Sequence, residues 1–271
     1  MTSDAPLLAV DGLSTWFDTP AGMVKAVDNV SLSVGRGETV ALVGESGSGK
    51  SASGMSIMGL IRPPGRICGG KIWFKGANLL DLSERQMRSI RGNQIAMVFQ
   101  EASPAFDPTA SVGSQIIETL SAHGKMSSRT AAAKAVDLLR MVDIADPERR
   151  VHNFPHEFSG GMLQRAMIAL AISCEPDLLI ADEPTTSLDT TTQAQILELL
   201  SSLSHSLGTA VLLITHNFGV VARYAQRAYV MHEGVVVEEG AIVDLYRHAR
   251  HEYTRKLWAS AQRFEGTRVG V

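Results

Sequence analysis

Four short runs of apolar residues punctuate the chain without the alternation of a half-exposed strand. They are residues 39–43 (Thr-Val-Ala-Leu-Val), 95–99 (Ile-Ala-Met-Val-Phe), 178–181 (Leu-Leu-Ile-Ala) and 210–214 (Ala-Val-Leu-Leu-Ile). Continuous runs of this length fit strands covered on both faces, as in a parallel sheet packed between helices. Residues 30–34 (Val-Ser-Leu-Ser-Val) do alternate, which predicts a strand with one face in solvent. Shorter strands are expected at 7–10, 13–17 and 72–74. Helical spacing marks four further segments. In 52–60, Ile57, Met58 and Leu60 share a side, and Pro63-Pro64 ends the helix. From Ser127 or Ser128 to 142, Ala132, Val136 and Leu139 fall on one face. In 163–173, Leu163, Ala166, Met167 and Leu170 do so, with Ser159 as the N-cap, and 194–203 is the fourth. Ser83 is expected to cap a short helix toward residue 90, and residues 101–108 read as an irregular loop.

Between the 39–43 strand and the 52–60 helix lies Gly44-Glu45-Ser46-Gly47-Ser48-Gly49-Lys50-Ser51, which fits G-x-x-x-x-G-K-[ST]. Glycines let such a loop fold into a nest of N–H groups aimed at phosphate oxygens, and the helix start adds partial positive charge. Lys50, expected in a solvent-facing loop, supplies a charge for the outer phosphates, and the Ser51 hydroxyl can ligate Mg²⁺. The loop therefore predicts a nucleotide phosphate site.

In a parallel sheet, strand ends gather on one edge, so the residues after the other apolar runs belong to the same question. Gln100 follows 95–99 and can reach Mg²⁺ or the attacking water through a neutral amide. Asp182 and Glu183 follow 178–181. An acid there can hold Mg²⁺, and its neighbour can orient the water. Read as adjacent strand residues, the two would point to opposite faces. His216 follows 210–214. Ser159-Gly160-Gly161 opens a helix, where small residues let an anion approach the first-turn amides. Near the amino end, Phe17 or Trp16 could stack on adenine.

Composition narrows the class. The 271 residues carry a net charge of -3, which gives no basic footprint for nucleic acid. Cys68 and Cys174 match no metal spacing, so a reducing, cytosolic setting is expected. Residues 1–6 have neither a basic start nor an apolar core, and no run approaches the roughly 20 residues that cross a bilayer. A membrane role would require docking on an embedded partner. His248, Arg250 and His251 read as a solvated tail rather than a metal site.

Taken in order, these motifs resemble the ATP-binding subunits of ABC transporters over nearly the whole chain. The resemblance implies an α/β fold: a P-loop NTPase (RecA-like) core with an antiparallel β subdomain and a helical insertion. It implies one domain over 1–271, with 1–101 and 163–240 as core and β subdomain, 102–162 as helical subdomain and 241–271 as C-terminal extension. Gly44 to Ser51 is then Walker A, residues 178–183 Walker B, Gln100 the Q-loop glutamine, Ser187-Leu188-Asp189 the D-loop and His216 the switch histidine. Phe17, rather than Trp16, takes the adenine-stacking position. Catalytic roles are implied for Glu183, His216 and Gln100, and Mg²⁺ ligation for Ser51, Gln100 and Asp182. Ser159, Gly160 and Gly161 match the signature that faces the ATP of a partner subunit. Phe158 stands where Leu is usual and Met162 where Gln is usual.

Gln164-Arg165, the 185–197 run and His251-Glu252-Tyr253-Thr254 are similar to the dipeptide, oligopeptide and nickel importer subfamily, although that subfamily normally has Pro where Glu252 stands. The resemblance implies import of peptides, metal chelates or opines. It also implies a second ATPase subunit, identical or different, two transmembrane permease subunits and an extracytoplasmic solute-binding protein. The implied location is peripheral, on the cytoplasmic face of the cell (inner) membrane. A loop over 101–125 is expected to contact a permease helix. A soluble ABC-type ATPase of DNA repair or translation would want a coiled-coil insertion, zinc cysteines or duplicated motifs. A non-hydrolytic nucleotide-binding regulator would be expected to lose Glu183 or His216.

Overall fold

The computed structural model describes residues 5–124, 126–186 and 188–265, with side chains to 259. Residues 1–4, Lys125, Ser187 of the expected D-loop and residues 266–271 of the expected C-terminal extension lie outside the described residues. The chain divides into two compact units, one of residues 1–83 with 210–271 and one of residues 84–209.

The first unit opens with a long hairpin, β1 (Leu8–Thr19) and β2 (Gly22–Val34), followed by β3 (Thr39–Val43), α1 (Lys50–Ile57), β4 (Gly65–Phe74) and β5 (Ala77–Asn78). Antiparallel pairing gives the order β2-β1-β4-β5. The two strands expected at 7–10 and 13–17 are one strand with register shifts between Val10 and Leu13 and again before Thr15 and Trp16. Gly12, at φ 60°, lies in the first shift, and the bulge is why the apolar pattern seemed to break there. β4 starts well before the expected residue 72 because Gly69-Gly70 hides strand propensity. A Cβ at Gly70 would meet the Leu13 Cα at 2.6 Å, so the glycine serves close strand approach. Helix α1 is shorter than 52–60 and begins two residues earlier.

The second unit contains α2 (Glu84–Ile90), β6 (Ile95–Val98), α3 (Val112–His123), α4 (Ser128–Met141), α5 (Pro147–Arg150), α6 (Gly160–Ile172), β7 (Leu178–Asp182) and α7 (Thr190–Leu207). β6 and β7 pair in parallel, with Ile95 opposite Leu178 and Val98 opposite Ala181. Ser127 caps α4 by accepting from the Thr130 amide, but the buried face is Ala131, Ala135, Leu138 and Leu139. Ala132 is exposed, so the apolar stripe is rotated by one residue from the expected one. An alanine-rich helix gives periodicity little contrast, since Ala fits either face.

The chain returns to the first unit with β8 (Ala210–Thr215), α8 (Phe218–Tyr224), β9 (Arg227–His232), β10 (Val235–Ala241), α9 (Ile242–His248) and α10 (Glu252–Glu265). Within this unit a sheet runs in the order β10-β9-β3-β8, β3 being parallel to both neighbours and β10 antiparallel to β9. Its face toward α8–α10 is an apolar core of Ala41, Val43, Phe218, Val221, Val230, Ile242, Leu245 and Trp258. Among the described residues, no helix is long and apolar enough to cross a membrane.

Candidate nucleotide site

β3 is buried along its whole length, so the loop after it is held from one end by the core. Two glycines then bring the loop backbone against neighbouring chain. A Cβ at Gly44 would fall 2.1 Å from the Met231 carbonyl oxygen. At Gly49, with φ 102°, it would fall 1.9 Å from the Ala26 carbonyl oxygen. Gly47 has φ 82° with open space around it. The left-handed backbone of Gly47 and Gly49 is the nest conformation expected of a phosphate loop. Gly234 donates its amide to the Ser48 carbonyl at 3.0 Å.

Lys50 is not in a solvent-facing loop: it is the first residue of α1 and only 4% exposed. Its ammonium donates to the Gly44 carbonyl at 2.9 Å, the Glu45 carbonyl at 2.7 Å and the Ser48 hydroxyl at 3.3 Å. The charge folds back over the loop because those carbonyls converge on it. Gly49, the N-cap of α1, offers no side-chain cap, whereas Ser111, Ser127, Ser159 and Asp189 cap α3, α4, α6 and α7. Together, the left-handed glycines, the uncapped helix start and the nearby ammonium form a site that suits the polyphosphate of a nucleotide. Ser51 follows in the first turn, half-buried.

β3 and β8 run in parallel with Val43 opposite Thr215, so Gly44 and His216 leave the same edge of the sheet. His216 is exposed, and Asn217 after it caps α8 through the Gly219 and Val220 amides. The Phe17 ring packs against Gly65, its partner across β1–β4: a Cβ there would be 2.5 Å from a ring carbon. The Trp16 ring faces the Lys25 ammonium at 5.0 Å, and its indole N–H is buried without a hydrogen-bond partner.

In the second unit, parallel pairing likewise brings Gln100 and the Asp182-Glu183 pair to one edge, since Val98 lies opposite Ala181. Gln100 is exposed, and Asp182 is the buried last residue of β7. Glu183 lies beyond the strand with φ 43°, so the alternation argument does not apply to the pair. A left-handed backbone at a bulky residue is uncommon and is held only by its surroundings. Here the Thr186 hydroxyl donates to the Glu183 carboxylate at 2.8 Å, and Thr186 N–H reaches the Glu183 carbonyl at 3.3 Å. Gln193 secures the same turn by donating to the Thr185 and Leu188 carbonyls. Asp189 accepts from the Thr192 hydroxyl and from the Thr192 and Thr191 amides, and these bonds hold its carboxyl below the usual range.

Ser159 caps α6 as expected, accepting from Met162 N–H at 3.4 Å. Its two glycines differ. A Cβ at Gly161 would meet the Thr192 methyl at 2.9 Å, whereas at Gly160 the nearest atom is a Leu188 methyl at 3.9 Å. Phe158 is 9% exposed, so that departure lies inside the unit. Gln164, 2% exposed, donates its amide to the Phe99 carbonyl at 3.5 Å, directly before Gln100. Neither Gln164 nor the β9–β10 turn stands out as a site residue in the sequence. A buried amide on an otherwise apolar helix face was the signal for the first, and Glu233-Gly234 for the second. Among the described residues, no group of three or more His, Cys, Asp or Glu is arranged to hold a metal ion.

Residues 27–186 match the family described as ABC transporter. A probable peptide ABC transporter ATP-binding protein of Sinorhizobium fredii is 51% identical over 255 residues, covering 94% of this chain and 76% of the relative. The oligopeptide transport ATP-binding protein of Bacillus subtilis is 48% identical over 262 residues, covering 96% of this chain and 73% of the relative. Among solved structures, a dimeric ATP-binding cassette in a post-hydrolysis state with ADP and Pi has TM-score 0.77 and 27% identity. The match covers 87% of this chain and 98% of that one.

Proposed function

We propose that this chain, which belongs to the ABC transporter family, is the ATP-hydrolysing subunit of an importer of peptides or related small solutes. The family makes it an ATPase. The observation that supports the substrate class is the similarity to peptide-transport ATP-binding proteins over 94% and 96% of the chain.

In this reading Gly44, Glu45, Ser46, Gly47, Ser48, Gly49, Lys50 and Ser51 form the phosphate cradle, and the Phe17 ring stacks on adenine. Ser51, Gln100 and Asp182 would hold Mg²⁺, which when bound would supply positive charge to the phosphate oxygens. Glu183 accepts the proton of the attacking water, oriented with Gln100 and His216. Burying part of Glu183 and tying it to Thr186 fixes the carboxylate before substrate arrives. Ser159, Gly160 and Gly161 turn the start of α6 toward the ATP of a second ATPase subunit. Two permease subunits carry the solute, delivered by an extracytoplasmic binding protein, and the chain works on the cytoplasmic face of the membrane.

The test is uptake of labelled peptides in a deletion strain, complemented by the intact gene, together with co-purification of two membrane subunits. We expect loss and restoration of peptide uptake. Normal peptide and nickel uptake alongside a lost sugar or lipid phenotype would overturn the substrate class. A soluble protein that captures no membrane subunit would overturn the importer.

A further inference from the structure

The glycine-rich loop is clasped on a side that the phosphate-binding proposal leaves unused. Glu45 is exposed, yet its backbone N–H donates to the Tyr253 hydroxyl at 2.9 Å. The Glu45 carbonyl is engaged by the Lys50 ammonium and by Ser48 N–H. Both polar groups of this residue's backbone are therefore fixed, one by the loop itself and one by the C-terminal helix.

Tyr253 is in turn held in place. It stands in the first turn of α10, and its ring stacks on His232 at 3.8 Å and 25°. His232 follows Met231, whose carbonyl abuts Gly44, and precedes the turn whose Gly234 amide binds the Ser48 carbonyl. The start of α10 is anchored by Glu238, which accepts from the Arg250 and His251 amides at 2.7 and 3.1 Å. Thr254 is fully buried, and Trp258 packs edge-on against Phe218 at 4.8 Å. The hydroxyl thus ends a continuous line of contacts from the apolar core to the loop entrance.

A nest binds phosphate well only if its N–H groups are already aimed, because ordering a loop on binding subtracts from affinity. From these contacts we infer that Tyr253 is a positioning residue for the phosphate loop. It fixes the Glu45 peptide so that the amides from Gly47 onward are presorted for nucleotide phosphates. The inference rests on the phosphate-site reading. It adds that the Glu45 amide is not a phosphate donor, and that the C-terminal segment sets nucleotide affinity.

Tyr253→Phe removes the hydroxyl and keeps the ring on His232. Glu252→Gln, one residue away and exposed, removes the ion pair with Lys256 and the attraction to Arg255 and His251 but touches neither Tyr253 nor the loop, and it serves as the control. Fluorescent Mg-ATP titration of the full chain should show a Kd raised about two- to tenfold in Tyr253→Phe, the value of one hydrogen bond, and unchanged in Glu252→Gln. KM should rise with kcat preserved. In the unmodified chain, NMR exchange should find the Glu45 amide slower than the Ser46 amide despite its exposure, and Tyr253→Phe should abolish that protection.

Equal Kd values for parent and Tyr253→Phe, with Lys50→Met binding lost, would overturn the inference alone. Unimpaired binding by Lys50→Met would remove the phosphate-site reading and this inference with it. If Tyr253→Phe fails to fold, the parent decides: a Glu45 amide that exchanges as fast as Ser46 overturns the proposal.

Discussion

Lys50→Met keeps the aliphatic stem of the side chain and deletes its ammonium, which the structure places inside the loop instead of in solvent. Three acceptors lose a donor: the Gly44 and Glu45 carbonyls and the Ser48 hydroxyl. Bonds to a charged group contribute about 1.5–3 kcal/mol each, and a buried carbonyl left bare costs about 1–3 kcal/mol. Against this, the folded state no longer buries a charge, which returns several kcal/mol on the order of the effective desolvation penalty. The balance is a loss of about 1–3 kcal/mol without any ligand, or roughly 2–12 °C in melting temperature. Nucleotide adds a second signature. A ligand at a hundredfold its Kd stabilises the parent by about 2.7 kcal/mol, and the variant should gain almost nothing. Thermal unfolding of both proteins with and without Mg-ATP measures the two effects separately. A variant as stable as the parent without ligand would mean that the lysine does not hold the loop. A ligand-induced shift equal to the parent's would mean that the loop is not the phosphate cradle.

Glu183→Gln keeps an acceptor for the Thr186 hydroxyl but removes the base, so phosphate release should fall about 10²–10⁴-fold while ATP binding persists. Near-normal turnover would sink that assignment. Glu38→Gln tests the ion pair that joins the approach to β3 to the start of β9, with carboxylate-to-Arg227 distances of 2.6 and 3.1 Å. Burial pushes the Glu38 carboxyl up, but the bonds from Arg227 and the Gly35 amide outweigh it and leave it below the usual value. Its stabilisation is thus full above the unfolded pKa and fades as pH falls through the lower folded one. Urea denaturation should show a deficit of about 1–3 kcal/mol at pH 7 that shrinks below about pH 4. A deficit independent of pH would contradict this. Charge reversal at exposed Glu101 and Glu118 should reduce uptake and spare basal hydrolysis, and equal loss of both would remove the docking role. Asp107 is unsuitable for that test because it ties its own turn through Thr109.

The sheet strands that carry the site were legible because each is a short apolar run ended by a glycine or a polar residue. Parallel pairing then brings Gly44 with His216, and Gln100 with Asp182, as such runs imply. Caps were legible for the same reason, since Ser159 and Ser127 each precede a helix whose first amides need an acceptor. What remained hidden depended on contacts between distant segments. Nothing local says that Lys50 folds back on its own loop, or that Glu183 leaves the strand line with a left-handed backbone. The buried face of α4 was misread because alanine carries little contrast. Residues 218–258 gave no pattern beyond a terminal motif, yet their packing on β3 supports the loop.

Gly160 and Gly161 have unequal surroundings within the chain, which lets one substitution separate folding from assembly. Gly161 is favoured by this chain's own packing, because a methyl there would press on the Thr192 methyl, whose side chain is held by its hydroxyl bond to Asp189. Gly160 is not, because a methyl there would meet nothing closer than ordinary contact. Replacing Gly160 by Ala should leave the isolated chain as stable as before, or firmer by up to about 1 kcal/mol from helix propensity. Any fall in ATP turnover would then report a body that arrives from outside. On the proposed reading, a single methyl at this position would act as a feeler for the partner's nucleotide: invisible in the melting curve of the lone subunit and felt only when two subunits close.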